Sequence, residues 1–328
     1  MTISGSTISL QEFNPADLSV AVLQGGRSVE REISLQTGAN VSRGLRKLGF
    51  SVCCYDAADL DFIQSLRSNR PDFVFNALHG SLGEDGTIQG LLEVLDIPYT
   101  GSGVLASALA MDKQASKDIF NACNIVTPAG MVLQMDKLNF DEASRQLGAS
   151  TLVVKPNKEG SSVGVSIVDN EADYRASFEA AVDSNGYALV EQCVPGREIT
   201  VAVLGDAGRY GHGSPVALPV IEIIPRSDFY HYDNKYTSGA TEYVVPAQLD
   251  DCIAAACQQM ALDAHNAIGC QGYSRADIRL TDADKPHLLE INTLPGLTEH
   301  SLIPKAAASA GIELSDLLLR ICYHAFLK

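Results

Sequence analysis

Ser19-Val20-Ala21-Val22-Leu23-Gln24-Gly25-Gly26 sets the class of the fold. A short apolar run that stops at a glycine pair reads as a buried strand feeding a tight turn. From residue 29 to 48 the apolar spacing becomes helical, and Gly49 ends it. Residues 51–55 and 72–78 read as two further strands with a helical pattern between them. Strands that alternate with helices build a parallel sheet covered on both faces. The first domain is therefore expected to be an open α/β layer ending near Thr100-Gly101.

Helical patterns follow at 104–111 and 112–121, and then the texture changes. Segments 151–155, 163–168 and 188–192 read as short strands around a helical stretch at 171–182, a small α+β unit. The last section reads as strands at 198–204 and 216–224, joined by a glycine-rich turn at 205–214. A polar loop through Tyr243 follows, then a helix from about 249 to 268 and strands carrying Asp277 and Glu290. Helices at 301–310 and 313–326 close the chain. No internal repeat or low-complexity segment interrupts this order.

With 328 residues, two or three domains are expected rather than one core. Apolar residues make up 46% and charged residues 20%, the mixture of a soluble globular enzyme. A net charge of -16 argues against a nucleic-acid partner, which needs Lys and Arg to neutralise phosphates. The eight cysteines form no Cys-x-x-Cys pair, so buried free thiols in a reducing compartment are expected, not a zinc site or disulfide framework. Residues 1–17 lack the basic start and apolar core of a signal peptide, and no apolar run is long enough to span a membrane. A cytoplasmic location is expected.

The chemistry concentrates near the C-terminus. In a strand, Glu290 and Asn292 point to one face, and Asp277 on a paired strand brings a third hard oxygen. Such a set suits Mg²⁺, which takes few protein oxygens and fills its shell with water and phosphate. Lys155 ends a strand and opens Lys155-Pro156-Asn157-Lys158-Glu159-Gly160-Ser161-Ser162-Val163-Gly164. Small residues let backbone N–H groups approach an anion, and the lysine adds a point charge. The lysine precedes the glycines, so this is not a Walker A loop.

Read singly, Lys113 is a solvated helix residue, and Glu191 and Glu198 are surface carboxylates. Read together with the phosphate loop, the Glu191 strand edge can meet a nucleobase and Glu198 a ribose hydroxyl. Glu30, at a helix start after Gly25-Gly26-Arg27, is a candidate for gripping a substrate ammonium, whereas Glu32 compensates the helix dipole. The glycine pair lacks the Gly-x-Gly-x-x-Gly spacing of a dinucleotide site. His79 ends a strand, where open α/β sheets bind ligands. The polar stretch 233–239 reads as a lid that excludes water from a reactive phosphate.

These motifs, in this order, resemble the D-alanine–D-alanine ligases of the ATP-grasp superfamily. The match runs from Gly25-Gly26-Arg27-Ser28-Val29-Glu30 through His79-Gly80, Tyr99-Thr100-Gly101-Ser102-Gly103, Met111-Asp112-Lys113 and Glu159-Gly160-Ser161-Ser162-Val163-Gly164. It continues through Lys235-Tyr236, Arg275-Ala276-Asp277 and Glu290-Ile291-Asn292-Thr293-Leu294-Pro295-Gly296 to His300-Ser301-Leu302, covering about residues 18–328. The resemblance implies a three-domain ATP-grasp fold: an extension at 1–17, an N-terminal open parallel α/β substrate domain at 18–112, a central subdomain at 113–190 and a C-terminal subdomain at 191–328. It implies a cytoplasmic homodimer that uses ATP and two D-alanines to make D-alanyl-D-alanine for peptidoglycan precursors, through an acyl phosphate.

The roles follow by matching position. Asp277, Glu290 and Asn292 are implied to hold two Mg²⁺ ions, with Mn²⁺ as an alternative. Lys113, Lys155, Ser162 and Lys235 are implied at the ATP phosphates, and Glu191, Val194 and Glu198 at adenine and ribose. Arg275 and the Gly296 N–H are implied at the oxyanion of the tetrahedral intermediate. Glu30, tied to Ser161 and Tyr236, is implied at the first ammonium; His79, Ser301 and Leu302 are implied at the substrates. Tyr236 accompanies dipeptide ligases, whereas phenylalanine there accompanies D-lactate-using relatives. Cys193 departs from the aromatic that relatives often carry beside adenine. The competing readings are a D-alanine–D-lactate ligase and an ATP-binding regulatory protein without catalysis.

Overall fold

The computed structural model describes residues 13–160, 164–205, 214–225, 241–298 and 300–327. Its first sheet is built by β1 (Ser19–Gln24), α1 (Arg31–Lys47), β2 (Ser51–Asp56), α2 (Asp61–Ser68) and β3 (Phe73–Asn76). The strands are parallel in the order β2-β1-β3. Burial of both faces along β1 explains its apolar run Val20–Leu23. Val20 and Val22 enter one core with Val41, Leu45, Phe73 and Phe75, while Ala21 and Leu23 enter another with Phe62, Leu66 and Val74. Three helices follow: α3 (Thr87–Val94), α4 (Val104–Met111) and α5 (Lys113–Ala122).

The middle layer is β4 (Gly130–Gln134), α6 (Phe140–Leu147), β5 (Leu152–Lys155), β6 (Ser166–Val168), α7 (Glu171–Ala181) and β7 (Tyr187–Gln192). Its sheet is antiparallel in the order β4-β7-β5-β6. Phe140, Leu147, Tyr174 and Phe178 on the two helices cover Val154 and Val190. Residues 191 and 192 pair with Val153 and Leu152, so a division after 190 falls inside β7.

The third layer is β8 (Arg197–Leu204), β9 (Val216–Ala217), β10 (Ile221–Pro225), β11 (Thr241–Val244), α8 (Asp251–Ile268), β12 (Tyr273–Leu280), β13 (Pro286–Asn292), α9 (Leu302–Ser309) and α10 (Leu314–Phe326). The sheet order is β11-β10-β8-β12-β13, with β9 also on β8. One face buries Val201, Ala276, Ile278 and Leu288 against Cys257, Ala261 and Phe120. The last helix returns to the first sheet, where Leu317, Leu318 and Ile321 join the core of Val20 and Phe73.

Between Asp277/Glu290 and Ile278/Leu288 the register shifts, leaving Leu289 as one extra residue on β13. This bulge lets Leu288 and Ile291 both reach the core, although they stand three apart. Strict alternation would have sent one of them to the opposite face.

Several expectations need correction. The strand expected at 216–224 is two strands separated at Leu218-Pro219-Val220, because proline has no N–H for the ladder. The polar loop expected through Tyr243 ends in β11, which pairs with β10. Strand β6 starts at Ser166, after Gly164 and Val165, and residue 163 of the expected strand lies outside the described residues. β4, α3 and α6 were not foreseen. The thiols are free, as expected, but only Cys257, Cys270 and Cys322 are buried; Cys53, Cys54, Cys123 and Cys252 are exposed. Most of the glycine-rich turn at 205–214 and the loop at 233–239 lie outside the described residues.

The turn after β1 is locked by charge. Gly26 N donates to Asp56 Oδ1 at 3.1 Å, and Arg31 donates to both Asp56 oxygens at 2.9 and 2.5 Å. Gly25 has φ +74°, and a Cβ there would lie 2.4 Å from Asp56 Oδ1. Gly25→Ala is therefore expected to lower stability by roughly 1–3 kcal/mol, read as a lowered denaturation midpoint.

Candidate active site

Register assembles the floor of the site. Across β12 and β13, Arg275 stands opposite Asn292 and Asp277 opposite Glu290. Arg275 donates to both Asp277 oxygens at 2.8 and 2.7 Å, and Thr200 Oγ1 on β8 donates to Oδ1 at 2.7 Å. Lys113 Nζ lies 3.4 Å from Glu290 Oε2. Two carboxylates face to face repel, and the two cations offset that cost. Asn292 Oδ1 accepts from Leu294 N at 2.8 Å, which turns the chain toward Gly296.

Each carboxylate oxygen keeps further lone pairs, so Asp277, Glu290 and Asn292 remain a hard-oxygen set that fits Mg²⁺. No cluster of three His, Cys, Asp or Glu suited to a metal occurs among the described residues. Asn292 adds an amide oxygen beside the two carboxylates on the same strand pair.

Lys113 is buried, not solvated. Asp112 caps α5 through Ala115 N at 3.1 Å and accepts from Asn157 Nδ2 at 2.8 Å. Lys113 Nζ donates to the Glu159 carbonyl at 2.6 Å. The start of α5 thus clasps the loop after β5, which is how a helix lysine enters a site made by two sheets.

Glu191 is also buried. Its Oε1 lies 2.5 Å from Lys155 Nζ and its Oε2 2.8 Å from Lys117 Nζ. Burial would raise this carboxyl, but Lys155 and Lys117 outweigh it and hold it below its ordinary value. Lys117 was not foreseen. The available signal was its place four residues after Lys113, one helical turn on. Its ammonium also donates to Thr127 Oγ1 at 3.0 Å and Pro128 O at 2.8 Å.

Glu198 opens β8 opposite Arg279, 3.7 Å from its guanidinium. Glu30 precedes α1, and its carboxylate lies against backbone: a Cβ on Gly80 or Gly160 would stand 3.0 or 3.3 Å from Oε2. His79 is wedged between Thr37 Oγ1 at 3.0 Å and Glu84 Oε1 at 3.3 Å. Ser301 precedes α9 and accepts from Thr298 N at 2.9 Å; Leu302 is the first helical residue. Asn40 Nδ2 on α1 donates to the Leu297 carbonyl at 2.6 Å, tying this turn to the first sheet.

These side chains line two adjoining cavities. The larger, about 550 Å³, takes Glu30, His79, Arg275, Asn292, Gly296, Ser301 and Leu302. The smaller, about 110 Å³, takes Lys155, Glu191 and Val194, with Val153, Ile167 and Cys193 as an apolar wall. Lys113, Glu159, Glu198, Asp277 and Glu290 border both. Burial pushes the Cys193 thiol up and Glu191 adds to this, against Arg279, so it lines the wall as a neutral group. Ser161, Ser162, Lys235 and Tyr236 lie outside the described residues.

A family model described as D-ala D-ala ligase C-terminus matches residues 124–323, and one described as D-ala D-ala ligase N-terminus matches 58–102. A D-alanine–D-alanine ligase of Syntrophotalea carbinolica is 45% identical over 309 residues, 94% of this chain and 96% of the relative. The chain belongs to the D-alanine–D-alanine ligase family. A crystal structure of the Bacillus anthracis ligase superposes with a TM-score of 0.81 at 35% identity, covering 94% of this chain and 97% of that one. The same ligase complexed with ATP superposes at 0.80 and 34%, covering 94% and 96%. The fold of this D-alanine–D-alanine ligase family member is accordingly ATP-grasp, with a parallel α/β domain at its N-terminus. Residues 103–123, which carry Lys113 and Lys117, fall between the two matched ranges.

Glu191→Gln would leave Lys117 and Lys155 close together without their shared anion. We expect a loss of roughly 3–5 kcal/mol at neutral pH. Because the folded carboxyl titrates below its unfolded value, its contribution is present above the ordinary glutamate range and lost as pH falls through the lowered value. The stability difference between the two proteins, measured by urea denaturation, should therefore shrink toward acid pH.

Proposed function

We propose that the chain joins two D-alanines into D-alanyl-D-alanine, driven by ATP, as a step of peptidoglycan precursor synthesis. The observation that carries this reading is the shared border of the two cavities at Lys113, Glu159, Glu198, Asp277 and Glu290. A phosphoryl group there can pass from a nucleotide on one side to a carboxylate on the other, away from bulk water.

In this reading a D-alanine carboxylate oxygen attacks the terminal phosphorus and ADP leaves. The amine of the second D-alanine then attacks the acyl carbon, and phosphate departs from the tetrahedral intermediate. Lys113 and Lys155 supply ammonium donors to the ATP phosphates. Val194 and the apolar wall take adenine, and Glu198 takes the ribose. Glu191 acts through Lys155, since both its oxygens already face ammonium groups. Asp277, Glu290 and Asn292 would hold Mg²⁺, two ions with Mn²⁺ as an alternative, which would offset phosphate charge.

Arg275 and the Gly296 N–H meet the oxyanion. Glu30 holds the first ammonium beside His79, and Ser301 and Leu302 receive the second carboxylate. Ser161, Ser162, Lys235 and Tyr236 enter this reading through the family resemblance alone. We place the domain bounds at 18–112, 113–192 and 193–328, which keeps β7 whole. We also place the chain in the cytoplasm as a homodimer of 35.0 kDa protomers, to be checked by light scattering. No helix among the described residues is long and apolar enough to cross a membrane.

The deciding assay is Mg-ATP with D-alanine, with and without D-lactate, followed by phosphate release and product mass. Release that depends on D-alanine, with the dipeptide as main product, is expected. Release without any need for D-alanine would remove the ligase reading, and a depsipeptide as main product would reassign the acceptor. Glu290→Gln should keep the fold by circular dichroism and lose roughly 10²–10³-fold in turnover. Near-normal turnover would show that Glu290 holds no metal.

A further inference from the structure

Among the described residues lining the larger cavity, Lys113, Arg275 and Lys305 carry permanent positive charge. Two of them are matched to anions. Lys113 lies 3.4 Å from Glu290, and Arg275 grips Asp277 with two hydrogen bonds. The contacts of Lys305 are of another kind: its Nζ donates to the His300 carbonyl at 2.5 Å and lies 5.2 Å from the centre of the Tyr243 ring. No carboxylate among the described residues neutralises it. Burial lowers its amine from the ordinary lysine value, the mark of a cation short of a counter-charge.

The position is specific. Lys305 stands four residues after Ser301, and helical side chains lean back toward the N-terminus. Reaching the His300 carbonyl brings the ammonium to the opening turn of α9, beside Ser301 and Leu302 on the same cavity wall. An ammonium has three donors, and His300 takes one. Glu84 lies on the same cavity and faces His79 instead, so a ligand carboxylate would supply the anion that no described carboxylate gives Lys305.

We propose that Lys305 binds the carboxylate of the acceptor amino acid by a charge-assisted hydrogen bond, and so selects acceptors with a free α-carboxylate. This rests on the ligase reading above and adds a specificity residue to its second substrate site. Tyr243 keeps the ammonium in place through its ring face.

The test is a competition between D-alanine and D-alaninamide as acceptors, with product masses giving the ratio of dipeptide to dipeptide amide. The ratio is internal to each protein, so partial loss of folded enzyme does not move it. Lys305→Met, which keeps the length of the stem, should shift the ratio toward the amide by about tenfold, the worth of one charge-assisted hydrogen bond. It should raise the KM for the acceptor D-alanine by a similar factor, and Lys305→Arg should restore both. An unchanged ratio in Lys305→Met, with ligation intact, overturns the role of Lys305. No D-alanine-dependent phosphate release from the unsubstituted protein overturns the ligase reading itself, and the proposal with it.

Discussion

Asp277 stands directly opposite Glu290 on neighbouring strands, and much of the molecule is arranged to make that tolerable. Like charges in such a pair repel at close range, and partial burial strengthens the repulsion. Arg275 from the same strand, Thr200 from β8 and Lys113 from α5 each supply a donor or a charge. Without them the two strands would be held together against their own side chains. In the reading proposed above, a divalent cation would answer the same problem more completely.

Lys113 reaches Glu290 because of a second arrangement. It belongs to α5, whose Phe120 is buried on the third sheet, yet its backbone and ammonium bond to Asn157 and Glu159 of the middle layer. Four residues on, Lys117 reaches across to Glu191 on β7. One short helix therefore couples the sheet of the carboxylates to the sheet of Lys155. The first sheet is drawn in from the other side by Asn40 on the Leu297 carbonyl and by α10 packing on Phe73. The cavities lie where these connections converge.

Much of this was legible in the sequence, for stated physical reasons. A strand, a glycine turn and a helix at 19–48 follow from apolar spacing. The shared face of Glu290 and Asn292 follows because residues two apart on a strand point the same way. What escaped was set by long-range neighbours. Leu289 is an ordinary strand residue until the partner register makes it the bulge. Thr241–Val244 reads as loop because its β-pairing partner lies about twenty residues upstream, across a polar stretch. Glu191 reads as a surface acid, since nothing near it in the chain announces Lys117 and Lys155 as its neighbours.

By itself the sequence determined which side chains can do chemistry and which local elements carry them. Those depend on residue type and on periods of two and 3.6, which act over a few residues. Only the tertiary structure decided the pairings: Asp277 against Glu290, Lys117 against Glu191, and Lys305 on the cavity wall beside Ser301 with no carboxylate partner among the described residues. Charge pairing depends on distance in space, and distance between segments far apart in the chain is set by packing of three sheets, not by any local pattern.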